Sequence, residues 1–331
     1  MQRARTVEFV APRRVEITEV ELPRLGEGDV LVRTRCSGLS AGTELLAYRG
    51  EIDPCLPLDE TIGALGGTFR FPFRFGYSCV GVIEDSRAAL TTGTEVFAFH
   101  PHQDWFVVPG TAVVAVSEVP PRIASLFPLA ETALQITLDA GPLVEEHVVV
   151  LGLGAVGMLT AVLLQRAGAR VLASEPLPWR RKVAAGLGFD AVEPDDVVPE
   201  LAARGVSDGV AVVVEVSGNP AALGEGLRLL RHEGTALVAS WYGTKLVELP
   251  LGAEFHRRRL TIRSTQVSTI PAHLSGRWTV ARRRRTAAEL LTVLDLAAIA
   301  THAFPFEQAA EAFAAVDGGA QGLVHAALWY E

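Results

Sequence analysis

Apolar positions follow two different periods along this chain. Through about residue 120 they come in short β-rich runs: "TVEFV", "RRVEITEV", "DVLVRTRCSG", "CVGVIED", "TEVFAF" and "WFVVP". Turn formers such as "LPRLGEGD" separate the runs, which is strand-and-turn punctuation. An all-β body with few helices is expected there. Near Ile123 the period changes. "IASLFPLAETALQITLDAG" has helical spacing and ends on Gly141, a residue suited to a helix C-cap. Strands and helices then alternate through "HVVVLG", "AVGMLTAVLLQRAG", "ARVLASE", "WRRKVAAGLG", "VAVVVEVSG", "NPAALGEGLRLLRHEG" and "TALVAS". Asn219 and Pro220 make an N-cap and first-turn pair. These strand runs are continuously apolar rather than alternating, as strands buried on both faces are. The expectation is a doubly wound parallel sheet running to about "RRLTIRST". Helices at "RRRRTAAELLTVLDLA" and "PFEQAAEAFAAVDGG" and a strand in "GLVHAALWYE" close the chain.

The fold class is therefore α/β, with a β-rich domain over 1–122 and 266–331 and a doubly wound domain over 123–265. A length of 331 residues suits two domains. The net charge of −8 opposes general binding to nucleic acid or to an anionic membrane surface. The three cysteines, Cys36, Cys55 and Cys79, have no zinc-clip spacing, and their odd number opposes a disulfide framework. A reducing, cytoplasmic setting follows as an expectation. The first twenty residues lack the apolar core of a signal peptide. The longest apolar run, "VVVLGLGAVGMLTAVLLQ", is broken by three glycines and reads as strand, turn and helix rather than a membrane span.

That run carries the chemistry. Gly152, Gly154 and Gly157 stand as G-x-G-x-x-G between a strand and a helix, and the next strand ends on Glu175, 18 residues beyond Gly157. This combination is the dinucleotide-binding fingerprint. Gly152 permits the tight turn, Gly154 lets the backbone approach a pyrophosphate, and Gly157 lets the helix pack on the sheet. The backbone of Leu153, Ala155 and Val156 completes the turn, where free N–H groups and the helix dipole meet the phosphates. Glu175 can accept hydrogen bonds from ribose hydroxyls and repels a 2′-phosphate, so NAD is expected over NADP. Arg180 and Arg181 follow closely, and Arg180 counts with the cofactor-binding residues.

At this point the chain resembles the medium-chain dehydrogenase/reductase superfamily, the zinc alcohol dehydrogenase relatives, over essentially its whole length. The resemblance implies a GroES-like catalytic domain interrupted by a Rossmann domain, a small-molecule substrate and a homodimer. It also implies a catalytic zinc, and here the sequence departs from the pattern. "SGLSAGTE" has Ser40 where the family has a Cys, with one extra residue before Thr43 and Glu44. "FGYSCVG" has Tyr77 and Ser78 for the family's His and Glu, and "LFPLAET" has Phe127 at the third ligand position. A hydroxyl, a phenol and a phenyl ring do not make a three-ligand zinc site. The four-Cys structural zinc lobe is missing as well. "SGLSAGTELLAYRG", "FGYSCVG", "SLFPLAETAL" and "ASWYGTK" look most like the zinc-less branch containing bacteriochlorophyllide a dehydrogenase.

The expected activity is thus a zinc-independent, NAD-dependent interconversion of a secondary alcohol and a ketone. Polarisation of the substrate oxygen falls to hydrogen-bond donors. Tyr77, Ser40 and Thr43 are the candidates, and Glu44 matches the family's acidic residue behind them. Two other functions remain open: an NAD(P)H-dependent quinone or enone reductase, and a nucleotide-sensing protein that has lost catalysis. His100 and His102 form the only compact histidine pair. Structural or substrate-contacting roles suit them better than metal binding. The long segment "EIDPCLPLDETIGALGGTFRFPFRF" and "QVSTIPAHLSGRWTVARRRR" are expected to shape a pocket.

Overall fold

A computed structural model describes residues 3–116 and 118–331. The chain divides into two compact units, Met1–Pro128 with Arg284–Glu331, and Leu129–Arg283.

The first unit is β-rich. A seven-stranded sheet runs in the order His302–Pro305, Ala326–Trp329, Asp29–Leu39, Cys79–Ser86, Glu95–Ala98 and Val113–Ala115, with Trp105–Pro109 pairing Asp29–Leu39 off this path. Burial in the first half of Asp29–Leu39 alternates strictly, the period-2 signature of a strand with one face in the core. A three-stranded sheet joins Arg14–Glu21, Arg3–Ala11 and Phe73–Arg74. Aromatic rings fill the space beside it. Phe9 stacks on Phe73 at 5.2 Å and meets Phe313 edge-on at 5.2 Å. Helix Thr43–Arg49 interrupts the strands of this unit and is closed by Gly50 in the left-handed conformation at φ 72°. It buries Glu44, Leu45, Leu46, Ala47 and Tyr48. A carboxylate thus goes into the core together with four apolar residues.

The second unit carries a six-stranded, all-parallel sheet. Its strands lie in the order Asp190–Val192, Arg170–Ser174, His147–Leu151, Val210–Glu215, Leu230–Val238 and Thr261–Ser264. The order reverses between His147–Leu151 and Val210–Glu215, and such a switch point opens a crevice at the carboxyl ends of the strands. The expected doubly wound sheet is present. Asn219 caps its helix as expected, its side chain accepting from the Ala221 N–H at 3.1 Å.

Two elements differ from their sequence patterns. "IASLFPLAETALQITLDAG" forms two helices, Pro121–Ala124 and Phe127–Ala140, not one. Between them Ser125 folds back, its hydroxyl donating to the Arg122 carbonyl at 2.8 Å. Pro128 sits in the first turn of the second helix, where its missing N–H costs nothing. "NPAALGEGLRLLRHEG" is helical only to Leu229, and Leu230 already begins a strand. Pairing of Leu230 with Val210 in the parallel sheet overrides the helical pattern.

Residues 266–283 belong to the second unit. Arg283 holds them there. It is 1 % exposed, pairs with Glu131 at 3.0 Å, bonds the Gln135 side chain at 2.6 Å, and donates to the carbonyls of Thr269 and Val267. Of the basic run Arg282–Arg285, this residue is an internal tie rather than a solvated charge.

Candidate active site

The glycine turn of the second unit follows directly from local sterics. Gly152 has φ +99°, and a Cβ there would lie 2.6 Å from the Ser217 Cα. A Cβ on Gly157 would lie 2.0 Å from the Gly152 carbonyl oxygen. Both positions exclude any side chain. Gly154 differs: nothing lies within 4 Å of its missing Cβ. That side of the turn is open to an approaching group. Helix Ala155–Arg166 starts after Gly154 with no side-chain cap, so its first-turn N–H groups keep their capacity to donate. Tight closure on the protein side with an open, donor-rich outer side fits a dinucleotide pyrophosphate.

Glu175 terminates the adjacent strand and is 2 % exposed. Its two oxygens are already engaged. Oε2 accepts from the Leu153 N–H at 2.8 Å, and Oε1 accepts from the Leu177 N–H at 3.1 Å. The carboxylate therefore holds the glycine turn and the start of helix Pro178–Gly186 together, and each oxygen keeps a second lone pair for a ribose hydroxyl. Arg180 stands 3.7 Å from Glu175 Oε2 and stacks over Trp179 at 5.1 Å. Arg181 is occupied elsewhere, donating to the carbonyls of Glu175 and Pro176 and pairing with Glu193.

A second buried carboxylate lies nearby in the same unit. Glu215 accepts from the Ser217 N–H at 2.8 Å, the Ser217 hydroxyl at 2.5 Å and the Tyr242 hydroxyl at 2.5 Å. Burial and this carboxylate push the Tyr242 phenol up. Because Gly152 packs on Ser217, the Glu215 cluster braces the glycine turn from behind. Sequence reasoning passed over Glu215. Its signal was a lone carboxylate in the apolar run "VAVVVEV".

The other expected residues come together in the β-rich unit. Ser40 and Thr43 stand beside the Tyr77 phenol. Burial and the nearby Glu44 charge push that phenol up, against the two hydroxyls, which favour ionisation. Tyr77 is therefore a neutral O–H donor across the physiological range. Its ring packs edge-on against Phe75 at 6.1 Å. Glu44 is fully buried. Its Oε1 accepts from the Ser40 N–H at 3.1 Å, which fixes the turn carrying Ser40 and Thr43. Its Oε2 meets His102 Nε2 at 2.8 Å. The other ring nitrogen of His102 meets the Ser37 hydroxyl at 2.7 Å, and Ser37 meets the Tyr330 hydroxyl at 2.8 Å. A buried polar line thus runs from the Ser40 turn to the last strand's end. His102 is the structural member of the histidine pair. His100 has a different setting, stacked on Phe106 at 4.2 Å.

The residues at the family's zinc-ligand positions are committed to other work. The Ser78 hydroxyl donates to the Ser125 carbonyl at 2.7 Å. Phe127 lies in an aromatic cluster, 4.3 Å from Phe97 and 6.0 Å from Phe99 between ring centres. Tyr77 offers a phenol in place of the imidazole, thiolate or carboxylate of the usual zinc donor set. Among the described residues, no group of three or more His, Cys, Asp or Glu is placed to hold a metal ion. The donor set at this position does not fit zinc.

Comparison with known proteins agrees with this architecture. Residues 155–281 match the family described as zinc-binding dehydrogenase. The chain is 27 % identical over 305 residues to D-guloside 3-dehydrogenase of Escherichia coli strain K12, covering 85 % of this chain and 86 % of the relative. It is 27 % identical over 337 residues to L-threonine 3-dehydrogenase of Saccharopolyspora erythraea, covering 94 % of each. The solved 2R,3R-butanediol dehydrogenase of Bacillus subtilis superposes with a TM-score of 0.80 at 19 % identity, covering 98 % of this chain and 99 % of that one. With its β-rich unit and its parallel-sheet unit, the chain is similar over most of its length to dehydrogenases of this kind, and its parallel-sheet unit carries the match to the zinc-binding dehydrogenase family.

Proposed function

We propose that this protein is an NAD(H)-dependent oxidoreductase that interconverts a secondary alcohol and a ketone by hydride transfer, without a zinc ion. The observation that carries the reading is the Tyr77 phenol beside Ser40, both at positions where the family places zinc ligands, with Thr43, which matches the family's proton-relaying hydroxyl, next to them. The reaction class is supported by relatives named as dehydrogenases of a guloside and of threonine. The nicotinamide cofactor is supported by the open glycine turn and by fold neighbours whose structures hold NADH or NADP. Between these two, Glu175 supports NAD: a carboxylate at the strand end suits ribose hydroxyls and opposes a 2′-phosphate. Arg180, 3.7 Å from that carboxylate, is assigned to the adenosine end of the site.

When bound, the nicotinamide supplies the acceptor and donor of hydride. The chain's own residues handle the oxygen and its proton. In the direction of reduction, negative charge grows on the carbonyl oxygen, and the Tyr77 O–H is the donor that meets it. A preorganised donor of this kind contributes roughly 3–4 kcal/mol to the transition state. Tyr77 gives its proton to the new alkoxide, and Thr43 and Ser40 orient the phenol and relay a replacement proton to it from solvent. Glu44 acts behind them through the Ser40 N–H, as a positioning residue. The chain is read as a member of the zinc-less branch resembling bacteriochlorophyllide a dehydrogenase, working as a cytoplasmic homodimer on a small-molecule substrate.

The test is a panel of secondary alcohols assayed for NAD reduction, together with elemental analysis of the dialysed protein. The expected result is turnover with no stoichiometric zinc. Turnover that chelators abolish, with about one zinc per chain, overturns the metal-free reading. Reduction of quinones or enones but of no ketone overturns the alcohol reading.

A further inference from the structure

The β-rich unit contains a cavity of about 670 Å³ whose lining includes Glu8, Thr68, Arg70, Arg74, His100 and Gln103. That volume is within the usual ~300–1,000 Å³ of small-molecule sites. Two arginines lie together in this lining. Seven other arginines of the same unit, Arg3, Arg5, Arg13, Arg14, Arg33, Arg35 and Arg49, each pair with a carboxylate, while Arg24, Arg87, Arg122 and Arg285, outside the cavity, have no ion pair among the described residues. Arg70 and Arg74 have no hydrogen-bond or ion-pair partner among the described residues. For Arg74 this is unexpected, because it lies directly opposite Glu8 in the antiparallel register, where opposite charges ordinarily pair. Its charge is felt instead at His100.

His100 is 9 % exposed, and its Nδ1–H donates to the Pro101 carbonyl at 3.0 Å. That bond fixes the neutral tautomer and leaves Nε2 as an acceptor, for which no protein donor exists among the described residues. Gln103 is similarly half-used: its amide donates to the Trp105 carbonyl at 2.6 Å, leaving the side-chain oxygen as an acceptor. The lining therefore combines two unpaired guanidinium groups with three acceptors: His100 Nε2, Gln103 Oε1 and the Glu8 carboxylate.

We propose that this cavity binds a small anion that also carries hydroxyl groups. Its carboxylate or phosphate lies against Arg70 and Arg74, and its hydroxyls donate to His100, Gln103 and Glu8. Guanidinium groups match either anion through paired N–H donors. A neutral polyol lacks the charge the arginines need. A simple anion leaves the acceptors unfilled. The site stands apart from the hydride-transfer reading, so its test uses binding rather than turnover.

Calorimetric titration of the full chain at low ionic strength, where charge contacts are least screened, compares D-gluconate, glycerol 3-phosphate, sorbitol and propionate. At least one of the first two is expected to bind saturably, about tenfold or more tighter than sorbitol and propionate. Which of the two binds more tightly identifies the anionic group. Arg70→Gln and Arg74→Gln are each expected to weaken that binding about tenfold. Both side chains are exposed and hold no structure together, so melting temperature and NADH affinity should stay at wild-type values. The proposal is overturned if sorbitol or propionate binds as tightly as the anionic polyols, if neither anionic polyol binds at about 10 mM, or if both substitutions leave affinity unchanged.

Discussion

His102 and Glu44 meet at 2.8 Å with both side chains sealed from solvent, although 58 residues separate them in the chain. Each is also tied on its far side, His102 to Ser37 and Glu44 to the Ser40 N–H. Removing one member leaves the other buried without its partner, which typically costs about 3–5 kcal/mol. Glu44→Ala and His102→Ala should each lower stability by that order. The double variant should cost much less than the sum, because the second deletion removes a group already stranded. Calorimetric melting of the four proteins checks this. Additive losses would show that the two residues act independently.

Glu175 has two tasks, and its variants should show both. Its oxygens bond the Leu153 and Leu177 N–H groups, so Glu175→Ala loosens the glycine turn as well as removing a ribose acceptor. NADH affinity should fall about tenfold or more, and the preference over NADPH should narrow because repulsion of the 2′-phosphate is gone. Fluorescence titration with both nucleotides measures each effect. Equal or tighter NADPH binding by the unmodified protein contradicts the assignment.

Two buried histidines give the fold an acid limit. Burial lowers His100 and His325 from 6.5 to about 4. In both, the folded-state value lies below the unfolded one, so unfolding takes up a proton as the pH falls. Above about pH 6.5 neither histidine affects stability; between there and about pH 4 each removes up to roughly 3 kcal/mol. Among the described residues, His325 Nδ1 is buried with no hydrogen-bond partner, so a neutral side chain of similar volume should be tolerated there. His325→Met is expected to flatten the fall in melting temperature from pH 7 to pH 4.5. An unchanged slope would falsify the assignment to that residue.

The parts legible in the sequence were those written locally. The glycine turn, Asn219–Pro220 and the apolar strands of the second unit are each set by a few consecutive residues, and the structure has them in place. Ser40 and Tyr77 drew attention because they replace ligands in the family motif, and Thr43 because it matches the motif's hydroxyl. The cluster's support was not legible. His102 reaches Glu44 only because the strands around it close the sheet, and Tyr330 joins Ser37 only through pairing of the final strand, with a separation of 293 residues. Nothing local in the run Arg282–Arg285 marks Arg283 as the buried one; the helix Phe127–Ala140 does, by placing Glu131 and Gln135 against it. Long-range pairing of this kind leaves no periodic trace in the chain.

The last prediction concerns the phenol and its neighbours. Tyr77→Phe keeps the ring and its edge-on packing against Phe75, and removes only the hydroxyl. Thr43→Val likewise keeps the shape and removes one hydroxyl at the start of helix Thr43–Arg49. Neither residue belongs to the unit that carries the glycine turn, so NADH affinity should be nearly unchanged in both. If Tyr77 donates to the developing oxyanion, its variant should lose roughly 10²-fold in kcat, the scale of one missing transition-state donor. Thr43→Val should lose less, because it acts through the phenol. The two losses should not add, since a hydroxyl that orients Tyr77 has nothing to orient once the phenol is gone. Single-turnover rates for the wild type, both single variants and the double variant decide the matter. If Tyr77→Phe turns over at the wild-type rate on a substrate that the unmodified protein oxidises, the oxyanion donor is another group, and the role given to Tyr77 is lost.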